Sequence, residues 1–228
     1  MGLFSTLKEQ IRKWKLRGRN PSDVFTTYYE SNKWGDADSR SGKGSNMPNT
    51  EMIRAALPGV VRDLGAQSFL DLPCGDYFWM KTVDLGVAQY TGGDIVAPMI
   101  AQNQKAHGRE GVRFEVIDLI QGPVPGHDIV FVRDCLVHLS NAHIAAAIRN
   151  IKASGATWLI TTTNPETQEN VDISTGQWRA LNLMLPPFSF GQAERMIDYS
   201  MPDLKGSRKD KFMGVWRVSE LPDLSALE

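Results

Sequence analysis

The sequence predicts an α/β protein built on a mostly parallel sheet, and three observations carry that prediction. Five short apolar runs, at 68–72, 89–95, 112–117, 128–133 and 157–162, alternate with helical patterns, as strands joined by right-handed crossovers require. The first run ends in an acid and turns through Asp71-Leu72-Pro73-Cys74-Gly75-Asp76-Tyr77, the strand-to-turn signature of a nucleotide-type sheet. The next two runs also end in acids, Asp94 and Asp118.

The elements follow in order. Residues 1–20 put Leu3, Leu7, Ile11 and Trp14 on one helical stripe against Lys8, Arg12, Lys13, Lys15, Arg17 and Arg19. Two readings stand for this stripe: an interfacial helix touching anionic lipid through residues 2–19, or a helix packed on its own domain or a partner subunit. Gly2 and Thr6 also fit the six-residue myristoylation pattern, which matches often by chance. An aromatic-rich segment at 23–34 leads into a polar, closable loop at 35–46. Thr50 and Glu51 open a helix that stops at Gly65, with Pro58 bending or restarting it. Helices are expected at 77–85, 97–107 and 141–153. After loops at 175–191, the stretches 194–199 and 212–218 read as a strand pair finishing the sheet edge, joined by a charged turn. The division expected is an N-terminal extension over 1–47, acting as lid or interfacial helix, and one domain over 48–228.

Composition narrows the function. The 25 basic and 26 acidic side chains leave a formal charge of −1, which excludes wholesale binding of a nucleic-acid backbone. Two cysteines and no membrane-length apolar run lead to the expectation of a reduced, cytoplasmic protein, peripheral at a membrane only if the basic helix docks there.

The first turn decides the ligand. A dinucleotide needs G-x-G-x-x-G so that backbone approaches the pyrophosphate; here there is one glycine, with carboxylates at Asp71 and Asp76 where a phosphate would be repelled. S-adenosylmethionine carries an ammonium and a sulfonium and no phosphate, and so matches. Asp94, twenty-three residues past Asp71, is placed to accept the ribose hydroxyls, with Gly92 and Gly93 keeping the strand end uncrowded. Asp118 is placed to accept the adenine amino group, with Ile117 and Leu119 as walls. Each acid alone is as readily a strand-end cap; their joint order is the specific signal.

The runs LDLPCGD, GGD, FEVIDL and DIVFVRDCLVHLS resemble the class I S-adenosylmethionine-dependent methyltransferases over about residues 50–165, and more narrowly stand-alone bacterial members with an RSGxGS segment before the sheet. The resemblance implies a Rossmann-like, seven-stranded, mostly parallel sheet with a reversed C-terminal strand. It makes Asp71, Pro73, Cys74, Gly75, Asp76, Trp79, Asp94, Ile95, Asp118, Leu119 and Arg133 the candidate cofactor residues, although Trp79 also reads as core. Pro73 and Cys74 before Gly75, and Asp76 after it, depart from the commonest first motif. The resemblance also implies catalytic groups after the fourth strand: His138 as first choice of base and Asp134 as second, against the readings that Asp134 orients the loop and His138 begins a helix. Asp134, His138 and His143 do not have metal-ligand spacing, and no metal is expected.

The acceptor pocket is expected between Trp34, Arg40, Ser41 and Lys43 on the first loop and Asn164, Trp178, Arg179 and Asn182 after the fifth strand. Arginine and lysine there suggest an anionic or heavily hydroxylated acceptor, a phosphorylated compound or saccharide, although Arg40 and Arg179 read equally as solvated loop charges. The reaction expected is methyl transfer to oxygen of a small molecule or glycan; the alternatives are N-methylation, modification of a protein or nucleic acid, and a non-catalytic cofactor-binding subunit.

Overall fold

The computed structural model describes residues 16–200 and 210–228. The basic stripe over 1–20 lies outside the described residues except for its last five, of which Leu16 is buried, and the charged turn at 201–209 also lies outside. No helix of the described residues is long and apolar enough to cross a membrane.

Four α-helices are described: α1 (Pro21–Glu30), α2 (Glu51–Asp63), α3 (Ala97–His107) and α4 (Asn141–Ala153). The strands are β1 (Ser68–Asp71), β2 (Gln89–Asp94), β3 (Val112–Val116), β4 (Ile129–Val132), β5 (Trp158–Thr163), β6 (Arg195–Asp198) and β7 (Phe212–Arg217). They form one sheet in the order β3-β2-β1-β4-β5-β7-β6. Strands β1 to β5 run parallel, and β7 runs antiparallel to both β5 and β6. The strand order reverses between β1 and β4, and an open sheet has its ligand crevice at the carboxyl ends beside such a reversal.

Alternation along the strands divides the core. Phe69, Ile129, Phe131 and Ile160 meet Ile53 and Leu57 of α2 on one face. Leu70, Val130, Val132 and Leu159 meet Ile144, Ile148 and Ile151 of α4 on the other. Helix α2 continues through Pro58 without breaking, because Ile53, Leu57, Val60 and Val61 give it a buried stripe. It ends as expected at Gly65, whose φ of 67° is the left-handed conformation that closes a helix.

The helix expected at 77–85 does not form. Gly75 and Tyr77 have φ of 56° and 57°, the chain then turns, and only Met80–Thr82 closes a single 3₁₀ turn. Tertiary packing overrides the local pattern here. The Tyr77 ring sits 4.9 Å from Phe114 and 5.3 Å from Tyr90, centroid to centroid, and that aromatic cluster draws the segment into the core.

Candidate active site

At the carboxyl ends of β1 to β4 lies a cavity of about 410 Å³, within the range of small-molecule sites. Its floor is the first turn. Leu72 N–H donates to the Phe131 carbonyl (2.9 Å) and Cys74 N–H to that of Gly93 (2.8 Å), so the turn is tied to both neighbouring strands. Asp94, buried at the end of β2, accepts from Gly75 N–H (3.2 Å) and Val96 N–H (3.0 Å). Gly93 has no room for a side chain, since a Cβ would stand 2.8 Å from Ile117 and 2.9 Å from Leu72.

Two carboxyls of this floor are kept from ionising freely. Burial pushes Asp71 up to about 7, against the pull of the Tyr90 hydroxyl (2.7 Å) and the charge of Arg133. Burial likewise raises Asp94 to about 6, against its two N–H partners. A cationic ligand stabilises both in their charged forms, and a phosphate does the reverse. Asp118 uses one oxygen to hold the turn after β3, accepting from Ile120 N–H (2.8 Å) and Gln121 N–H (3.1 Å); Ile117, Leu119 and Ile120 wall the cavity beside it. This acid-lined, apolar-walled half has the donor set that S-adenosylmethionine requires.

All the candidate cofactor residues line the cavity, including Pro73, Cys74, Trp79 and Ile95, but three have tasks the sequence did not suggest. Asp76 faces the N-terminal loop. It accepts from Ser39 Oγ (3.0 Å), Arg40 N–H (2.8 Å) and Ser41 Oγ (3.3 Å), and its own N–H donates to Ser41 Oγ (3.1 Å). Gly75 is accordingly a close-approach position for Ser41: a Cβ would stand 2.2 Å from the Ser41 oxygen. Arg133 lies between two rings, 5.3 Å from the Trp79 centroid and 5.0 Å from that of Tyr199, and donates to the Gly44 carbonyl (2.6 Å).

Beyond β4 the cavity continues between the loop and the segment after β5. Trp34, Arg40, Ser41, Lys43, Trp178 and His138 line it. Arg40 is exposed and partly engaged, its guanidinium donating to the carbonyls of Tyr29 and Glu30 at the end of α1. His138 stands in a 3₁₀ turn, Leu136–His138, with its ring 6.2 Å from that of Trp34. Its Nδ1 lies 2.8 Å from the Gln177 carbonyl; a carbonyl only accepts, so Nδ1 carries the proton and the neutral ring presents Nε2 as its basic nitrogen.

Asn164, Arg179 and Asn182, expected in the acceptor pocket, are instead buried braces outside the cavity lining. Asn164 accepts from Leu181 N–H (3.0 Å) and donates to the Asp210 carbonyl; Asn182 donates to the carbonyls of Pro165 (3.0 Å) and Thr167 (3.1 Å). Arg179 donates to the Leu139 carbonyl (2.7 Å) and to Asn141 (3.1 Å). A loop this irregular leaves many backbone carbonyls without secondary-structure partners, and these side chains satisfy them.

Asp134 is not a free carboxylate. Its Oδ1 accepts from Lys211 Nζ (2.8 Å) and the Tyr199 hydroxyl (3.1 Å), and Arg133 lies 3.6 Å from Oδ2. Burial alone would raise it, but Lys211 and Arg133 hold it well below the usual carboxylate range, which makes it a poor base at neutral pH. Lys211 and Tyr199 were missed in the sequence. The signal that could have found them is the reversal of β7: an antiparallel strand begins, rather than ends, at the carboxyl edge of its parallel neighbours, and Lys211 immediately precedes β7.

The strand order with a reversed β7 and an acid at each of the first three strand ends is the Rossmann-like fold of class I S-adenosylmethionine-dependent methyltransferases. Among solved structures, N-methyltransferase NodS from Bradyrhizobium japonicum WM9, in complex with S-adenosylhomocysteine, matches with a TM-score of 0.58 and 12% identity over 83% of this chain and 97% of that one. Magnesium protoporphyrin IX methyltransferase ChlM from Synechocystis PCC 6803, with bound S-adenosylmethionine, matches with a TM-score of 0.56 and 16% identity over 87% and 96%. No protein-family model and no curated protein sequence matches the chain.

Proposed function

We propose that this chain is an S-adenosylmethionine-dependent methyltransferase acting on a hydroxyl oxygen of a small-molecule or glycan acceptor, with His138 as general base. The observation that carries the reading is the His138 Nδ1 contact to the Gln177 carbonyl, which makes Nε2 the basic nitrogen of a side chain lining the cavity. An alcohol must lose its proton as it attacks, whereas a neutral amine attacks through its lone pair, so a fixed neutral imidazole favours oxygen.

S-adenosylmethionine supplies a methyl group already activated by its sulfonium. The chain's own task is alignment, which is worth about 7–11 kcal/mol when donor and acceptor are well oriented. In this reading Asp94 accepts from the ribose hydroxyls, Asp118 from the adenine amino group through the oxygen not holding the turn, and Asp71 with the 73–75 turn bounds the methionyl end. Trp34 and Trp178 give the acceptor two aromatic surfaces, as ring-bearing and saccharide ligands use. Ser41 and Lys43, with Arg40 at the rim, come from a 1–47 extension that covers the cofactor turn. Asp134 positions the cations around it and takes no proton.

The test is transfer of labelled methyl from S-adenosylmethionine into saccharide and metabolite libraries, with the product bond read by mass spectrometry. His138→Ala is expected to lower turnover about 10²- to 10⁴-fold while cofactor affinity stays unchanged. Label found on an amine, or equal turnover in the variant, would remove His138 from the mechanism. Absence of cofactor binding by calorimetry would remove the methyltransferase reading altogether.

A further inference from the structure

We propose that Lys211, together with Arg133, binds a negatively charged group of the acceptor, so that the substrate is an anion carrying a carboxylate or phosphate. This deepens the methyltransferase reading and rests on it.

Lys211 reaches the cavity by topology. Phe212, the first residue of β7, pairs with Thr163, the last residue of β5, and so Lys211 stands just beyond the carboxyl edge of the sheet. Its side chain is only 8% exposed and lines the same cavity as His138, Trp34 and Trp178. A buried ammonium is costly unless its charge and its three donors are met. One donor goes to Asp134, and the Tyr199 ring lies 5.7 Å away. Arg133, also buried and lining the cavity, shares the same carboxylate, and its Nε has no hydrogen-bond partner among the described residues. Two cations thus meet one carboxylate at the far side of Asp134, whereas Asp71, Asp94 and Asp118 gather on the β1 to β3 side. The cavity is divided into an acidic cofactor half and a half whose buried charge is positive. Asp71, on the acidic side, feels Arg133 across the cavity but is held by Tyr90.

A purely structural Lys211 would serve only to neutralise Asp134, and a lysine reading the cofactor's own carboxylate would matter for cofactor affinity. The experiment separates these. The protein saturated with S-adenosylhomocysteine is titrated with inorganic phosphate and, separately, with acetate. Binding is read by calorimetry and by tryptophan fluorescence, in the native chain and in Lys211→Met, Lys211→Gln and Lys211→Arg. The expected result is that the native complex binds at least one of the two anions. Lys211→Met or Lys211→Gln should weaken that binding about tenfold or more, as loss of a charge-assisted hydrogen bond does, and Lys211→Arg should retain it. S-adenosylhomocysteine affinity should stay within about twofold in all three. Binding of phosphate alone identifies a phosphorylated acceptor, and of acetate alone a carboxylate. The proposal is overturned if neither anion binds the native complex, if the uncharged variants bind as well as the native chain, or if the loss falls on S-adenosylhomocysteine affinity instead. Gln preserves length and polarity, so one uncharged variant remains testable if Met unfolds the chain. His138→Ala is expected to bind the anions normally, which keeps a failure of the base assignment distinct from a failure of this one.

Discussion

Three aspartates at strand ends carry opposite electrostatics, and the difference is one of neighbours. Asp71 and Asp94 are raised by burial to about 7 and about 6, whereas Asp134, facing Lys211 and Arg133, is lowered. A carboxyl raised above its unfolded value makes the free protein less stable as pH climbs from the unfolded value near 3.8 through the folded one. A lowered carboxyl does the opposite: Asp134 contributes stability that is present above the unfolded value and lost as pH falls toward the folded one. A cation beside Asp71 and Asp94 prefers both ionised, so S-adenosylmethionine is expected to bind more weakly as pH falls from about 8 to about 5.5, with protons released on binding near neutrality. Calorimetry in buffers of different ionisation enthalpy measures that release; affinity independent of pH would disconnect the two acids from the cofactor. Asp94→Ala is expected to lose most of the affinity, because it removes the ribose acceptor and frees Gly75 N–H together.

The first turn and the loop at 39–45 form one structural element despite their separation in sequence. Ser39, Arg40 and Ser41 converge on Asp76, Arg133 holds Gly44, and Gly75 leaves space for Ser41. Asp76→Ala is therefore expected to increase hydrogen exchange and proteolytic nicking across 36–46 while strand amides stay protected, since only the loop loses its acceptors. Unchanged protection of the loop would contradict this. Gly75→Ala is expected to cost about 1–2 kcal/mol from the left-handed backbone alone, more from the clash with Ser41, and denaturant melts would measure it. The same element explains a misreading. A lone glycine between acids suggests close approach by a ligand, but the atom that comes close is a serine oxygen from a loop about thirty residues upstream.

At the scale of the molecule, the cavity lies where β1 and β4 diverge, and the chain reaches it from its N-terminal loop, from four strand ends, from the 174–182 segment and from the start of β7. A ligand touching so many segments couples them. S-adenosylhomocysteine at about a hundred times its Kd is expected to add about 2.7 kcal/mol of stability, or roughly 5–10 °C in Tm for a chain of this size. NAD, whose pyrophosphate faces Asp71 and Asp76, is expected to add none. Scanning calorimetry distinguishes the two, and stabilisation by NAD alone would reverse the cofactor assignment.

The sequence by itself determined the β1 to β5 frame, the α2, α3 and α4 helices and the acids Asp71, Asp94 and Asp118, because these depend on apolar periodicity and on strand ends that adjacent residues announce. His138 was legible only through a motif resemblance. Tertiary structure alone decided the rest. The segment 77–85 turned instead of coiling, because the Tyr77 ring had a better place among Tyr90 and Phe114 than on a helix. Asn164, Arg179 and Asn182 looked like ligand-binding residues and became braces, because polar side chains near an irregular loop are drawn to its unpaired carbonyls. Lys211 looked like part of a charged turn and became a buried cation in the cavity, because β7 enters the sheet reversed, and strand direction is set by what packs on either side rather than by the residues of the strand.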